Sequence, residues 1–264
     1  MVKQFSIRES LKTSWSLIKG ENLFLLIGLI LGYLVVYGVL STVRLFMPTS
    51  IIGFIVSLAQ IFLSLMFSLG IVKISLQIIA GEEPEFTAFK DVIPLILKYI
   101  GASLLRALPA IGGIIIGIVV ILSMLFTRLD LASIKAGDIN SIVKTIEASK
   151  NMSLFLGIFA LSILPAIYFN VRWIFYTYLI VDKNSGAIES LKQSWKMTEG
   201  NFWHLILFGL TYFALIILGF IALILGVFVV IPLLLMALTL IYKKLVSKLD
   251  ENQPIIDSVE KLAE

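Results

Sequence analysis

Cysteine is absent from the 264 residues, and histidine occurs once, as His204. Without thiols there is no disulfide framework, thiolate metal site or cysteine nucleophile. One histidine alone cannot build a His-rich metal site. Charge is scarce as well. Asp, Glu, Lys and Arg make up 14% of the chain, against about 25% in a soluble domain. So few charges cannot coat a soluble globule of this length, which argues against a cytosolic enzyme, a secreted protein, a nucleic-acid binder or a disordered tail. Catalytic patterns are also missing. There is no Gly-x-Ser-x-Gly elbow, Walker-type loop or His–carboxylate set at metal spacing. The expectation is a protein that is not an enzyme and uses no cofactor or metal.

What is abundant is hydrophobicity: 59% of residues are apolar and the mean hydropathy is +1.03. A helix needs about 20 apolar residues to cross a hydrocarbon core of about 30 Å. Runs free of charge cover 22–43, 45–72, 107–127 and 151–171, the last continuing past Arg172 to Val181. A further run, 200–242, holds 43 residues. As one helix it would reach about 65 Å at 1.5 Å per residue, twice the core, so it folds back on itself. Gly219 and Gly226 mark the turn. The fold class is therefore all-α, a polytopic bundle of six transmembrane helices near 22–44, 50–79, 94–126, 152–181, 202–220 and 223–246. Residues 1–246 form a single membrane domain, followed by a short tail, 247–264. Pro109, Pro165 and Pro232 fall inside spans and are expected to kink them.

Orientation follows the Lys and Arg of the connections. With the N-terminus inside, fourteen of these residues lie on the inner side and five on the outer, with Arg106 and Arg172 inside spans. This places both termini in the cytoplasm of a prokaryotic plasma membrane.

The strongest internal pattern is a repeat. Residues 9–20 read ESLKTSWSLIKG and residues 189–200 read ESLKQSWKMTEG, with seven of twelve positions identical. Each copy is followed by Asn, an aromatic residue and a span. Ile7, Leu11, Trp15 and Ile18 share one helical face, as do Ile188, Leu191 and Trp195. Two amphipathic helices are therefore expected in the membrane interface, at the N-terminus and before span five. Trp15 and Trp195 would stand at headgroup level with Lys12 and Lys192 toward phosphate. Gly20 and Gly200 would end them. A weaker third copy is expected over Phe86, Phe89, Ile93 and Leu97. In the outer loop, Ile139, Ile142, Val143 and Ile146 follow helical spacing behind Asp138 as N-cap.

The segment Leu164–Trp173, then Leu179–Asp182, Ala187–Trp195 and Gly200–Trp203, resembles a prokaryotic membrane family related to the membrane domain of glycerophosphoryl diester phosphodiesterases. Gly70–Glu83 followed by Phe86–Leu97 fits that family's middle loop. The resemblance implies a six-helix integral membrane protein. The soluble barrel that some relatives carry has no room in the 22 residues after Tyr242, so the named activity is not expected to transfer.

Polar residues within the apolar runs are the candidate site. Arg106 and Arg172 lie in spans three and four, where a cation is costly unless it snorkels or is paired. Pairing with a loop acid such as Asp182 or Asp91 is one expectation. The other is a pocket for a lipid phosphate built from Arg106, Arg172, Lys73 and Asn170. No carboxylate falls mid-span, which argues against a proton antiporter. Membrane lipids are the expected partners, with a partner membrane protein as a further candidate and no nucleic acid. The leading reading is a lipid-binding or membrane-organising protein. The alternative is a transporter or a transporter's accessory subunit.

Overall fold

The computed structural model describes residues 5–126, 152–222 and 225–249. In hydrocarbon, backbone N–H and C=O groups must be satisfied within the segment, and the apolar runs do so as helices. In chain order these are α1 (Ile7–Ile18), α2 (Glu21–Phe46), α3 (Ile51–Ala80), α4 (Ala88–Asp91), a 3-10 turn (Ile93–Leu95), α5 (Ile96–Phe126), α6 (Met152–Arg172), α7 (Tyr176–Lys183), α8 (Ala187–Thr198), α9 (Phe202–Ile221) and α10 (Leu225–Leu249). Six stretches are long and apolar enough to cross a membrane: Glu21–Phe46, Ile51–Ala80, Ala88–Ser123, Gly157–Lys183, Phe202–Ile221 and Gly226–Lys248. They fall close to the six expected runs.

The chain divides into two compact units, one made of the segments up to Ala102 and from Ile174 onward, the other of Ser103–Trp173. In the first unit α10 is the spine, with α1, α2, α3, α8 and α9 packed on it. Its core includes Ile18, Leu26, Ile74, Ile78, Met236 and Leu240. Burial is concentrated at one end of the long helices, over 69–79 of α3 and 234–246 of α10. Elsewhere α2, α3 and α9 expose large apolar side chains such as Phe24, Phe54 and Phe213. In water such a surface would be untenable; against lipid tails it needs no cover.

The corners follow local chemistry. Ser50 accepts the Gly53 N–H at 3.0 Å and caps α3, which ends at Gly81 in the left-handed conformation (φ +74°). Between α9 and α10 the two expected turn glycines meet: a Cβ added at Gly226 would lie 2.9 Å from the Gly219 Cα. Gly20 (φ +87°) and Gly200 (φ +78°) follow the ends of α1 and α8, where residues with a Cβ would be strained.

Three expectations need correction or fall outside the described residues. Span four is not one helix: the chain turns over 173–175, and the Phe175 N–H is taken by Ser194 Oγ at 3.1 Å. No amphipathic helix of the α1 kind stands over Phe86–Leu97. That stretch is the four-residue α4 and a 3-10 turn containing Pro94, whose missing N–H prevents one continuous helix. On α1 the Ile7–Leu11–Trp15–Ile18 face is divided in its surroundings. Ser10, Ser14 and Ile18 are buried, while Trp15 is 45% exposed. The expected helix over Asp138–Ile146 lies outside the described residues.

Candidate functional site

In the second unit, α5 and α6 approach closely through small residues. Gly113 and Gly117 of α5 face Ser162 of α6, and a Cβ at Gly117 would sit 2.8 Å from Ser162 Oγ. This is the small-xxx-small contact by which membrane helices bring their backbones together. Further along the same pair, the Arg106 guanidinium donates from Nη2 to Asn170 Oδ1. Asn170 donates its own amide to the Ala166 carbonyl at 2.7 Å. Two of the four expected site residues are thus joined, and the asparagine is held by its own helix.

Arg172, also expected in the site, donates from Nε to the Tyr168 hydroxyl at 3.4 Å. Its guanidinium lies 5.5 Å from the Tyr168 ring centre, within range of a cation–π attraction. Asn170 and Tyr168 are both neutral, and each orients one of the guanidinium groups. Lys73, the fourth expected residue, belongs to the first unit, on α3, and is partly buried. Asp182, one of the acids considered for Arg172, is engaged by Tyr242 and Lys243 in the first unit.

The anchors also have defined places. Lys12 and Lys192 are exposed, and Trp195 is half-buried. In α8 the buried stripe is Ser190, Leu191, Ser194, Met197 and Thr198, with Ile188 60% exposed. α1 and α8 therefore turn equivalent serines inward, Ser10 and Ser190, then Ser14 and Ser194. Ser14 satisfies its hydroxyl on the Ser10 carbonyl at 2.6 Å and Ser190 on the Ala187 carbonyl at 2.9 Å. Ser194 Oγ instead accepts the Phe175 N–H, and small side chains with partnered polar atoms let both faces sit close to a neighbour.

Sequence reasoning missed the polar seam that joins α7 to α10. Asp182 accepts from the Tyr242 hydroxyl at 2.8 Å and from Lys243 Nζ at 2.9 Å. Tyr178 stacks on Tyr242 with ring centres 5.1 Å apart. Thr239 Oγ1 lies 3.0 Å from Ser75 Oγ and donates to the Leu235 carbonyl at 2.8 Å. The available signal was Asp182 and Lys243 standing at the ends of apolar runs. Among the described residues no group of three His, Cys, Asp or Glu could hold a metal ion. His204 opens α9 with its ring edge-on to Phe5 at 6.1 Å.

Residues 142–250 match the membrane domain of glycerophosphoryl diester phosphodiesterase. That stretch, which takes in α6 to α10, is similar to this domain. No curated protein and no solved structure matches the chain.

Proposed function

We propose that this multi-pass membrane protein is a non-enzymatic lipid-binding protein that holds phospholipid headgroups on Arg106 and Arg172. The observation that carries the reading is the pair of arginines within candidate spans, each oriented by a neutral side chain, Asn170 or Tyr168. Arg binds phosphate in two-point geometry. The matched family supports the same chemistry, because a glycerophosphoryl diester is the headgroup portion of a phospholipid. The two serine-faced helices, read as copies of one unit, would set Trp15 and Trp195 at the membrane surface with Lys12 and Lys192 beside them. The Lys and Arg distribution supports cytoplasmic termini in a prokaryotic plasma membrane.

Native mass spectrometry from nanodiscs holding anionic and zwitterionic phospholipid tests the binding. Arg106→Gln with Arg172→Gln lowers retention of anionic lipid while the protein stays folded; Arg172→Lys retains part of it. Equal retention by the double variant and the parent would overturn the reading. Orientation is tested in the cysteine-free background by single cysteines at Thr49 and Glu82, both exposed turn residues. Thr49→Cys labels from outside the cell and Glu82→Cys only after permeabilisation; the reverse pattern inverts the topology.

A further inference from the structure

A second feature lies in the first unit and does not depend on the arginines. Between α2 and α3 runs an apolar groove of about 580 Å³, lined in part by Gly28, Gly32, Tyr33, Met66, Phe67 and Phe89. Its floor is made by two glycines in mid-helix. A Cβ at either Gly28 or Gly32 would meet nothing within 4 Å, so neither serves a close helix contact or a turn. Its wall is rigid: Tyr33 stacks on Phe67 with ring centres 4.2 Å apart, and the Tyr33 hydroxyl is within 3.1 Å of Ser64 Oγ. At one end Phe89 closes over Gly70, where a Cβ would run into its ring.

The dimensions choose the occupant. The α2 lining runs from Leu25 to Val36, about 16 Å of helix at 1.5 Å per residue and close to half of a ~30 Å hydrocarbon core. The groove is thus one leaflet deep. Its lining is apolar apart from the Tyr33 hydroxyl, which suits a hydrocarbon chain.

A charge lies on α3 just beyond the end that Phe89 closes. Lys73 stands seven residues beyond Met66, two helical turns along the same face of α3. It lies about 33 Å along α3 from Ile51, one core thickness, which is headgroup level. It is partly buried within a candidate span, and none of the hydrogen bonds or ion pairs among the described residues includes it. A cation so placed calls for an anion from outside the protein. We propose that the α2–α3 groove is a phospholipid site, holding one acyl chain along Gly28 and Gly32 with the phosphate on Lys73.

The test uses the full chain in nanodiscs of mixed phosphatidylglycerol and phosphatidylcholine, released for native mass spectrometry. Gly28→Leu with Gly32→Leu fills the groove and improves helix propensity, so folding is retained; lipid occupancy falls at least fivefold. Gly28→Ala with Gly32→Ala, too small to fill it, keeps the lipid. Lys73→Gln keeps a lipid but loses about fivefold of its preference for phosphatidylglycerol. A phosphatidylglycerol carrying a mid-chain diazirine labels Tyr33, Met66 or Phe67. Arg106→Gln with Arg172→Gln leaves this lipid in place, so the two proposals fail separately. Parent-like occupancy in the double leucine variant, or a change of oligomeric mass instead of lipid count, refutes the acyl-chain site. An unchanged headgroup preference in Lys73→Gln refutes the role of Lys73.

Discussion

Removing the carboxylate of Asp182 tests what holds α7 to α10. It receives the Tyr242 hydroxyl at 2.8 Å on Oδ2, and Lys243 Nζ at 2.9 Å on Oδ1 and 3.1 Å on Oδ2. The Lys243 and Asp182 side chains are 17% and 21% exposed, and Tyr242 is fully buried. Breaking a buried ion pair from one side costs about 3–5 kcal/mol, because the partner is left charged and unmatched. Partial exposure lowers this to about 2–4 kcal/mol for Asp182→Ala. Asp182→Asn keeps an acceptor for the tyrosine and loses only the charge, so about 1–2 kcal/mol is expected. A cycle with Lys243→Met isolates a coupling of about 1–2 kcal/mol. The assay is reversible unfolding in mixed micelles with increasing SDS, followed by far-UV circular dichroism. Glu9→Gln is the internal comparison. Its pair with Lys244 is longer, 3.3 Å, and Glu9 is 50% exposed, so about 0–1 kcal/mol is at stake. A cycle coupling below about 0.5 kcal/mol, or a loss in Asp182→Ala no larger than in Glu9→Gln, would refute the reasoning.

Two further outcomes use the same assay. Ser14→Leu forces a large side chain into the contact of α1 with α10 and costs about 1–3 kcal/mol, whereas Ser14→Ala is near neutral because its hydroxyl bonds only its own helix. Gly226→Val destabilises by a similar amount, since its Cβ would crowd Gly219 across the α9–α10 turn, and the loss shows as a lower SDS midpoint.

The number and placement of long helices could be read from charge-free runs because the bilayer imposes a minimum length that little else in a protein imitates. The turn at Gly219 and Gly226 was legible for the same reason: 43 uncharged residues cannot be one span. The break at 173–175 was not. Nothing in Arg172-Trp173-Ile174-Phe175 disfavours a helix; the chain can turn there because Ser194, nineteen residues away, satisfies the Phe175 N–H. Likewise Arg106 and Arg172 could be flagged as costly cations, but that Asn170 and Tyr168 orient them depends on the i, i+4 and interhelical geometry of α5 and α6.

The amphipathic helices show what hydrophobic periodicity does not register. Periodicity finds the side that avoids water, and beside a membrane two different surroundings meet that description. Ile7, Leu11 and Trp15 are apolar and thus suit lipid or interface, where large side chains cost nothing to leave uncovered. Packing against another helix asks for something else, namely small side chains whose polar atoms are already satisfied. Ser10, Ser14, Ser190 and Ser194 meet that demand, and all four fall at identical positions of the two repeated segments. The repeat therefore contained the packing face in its serines and the lipid-facing residues in its tryptophans. Only close approach to a second helix, which period counting does not register, distinguishes one from the other.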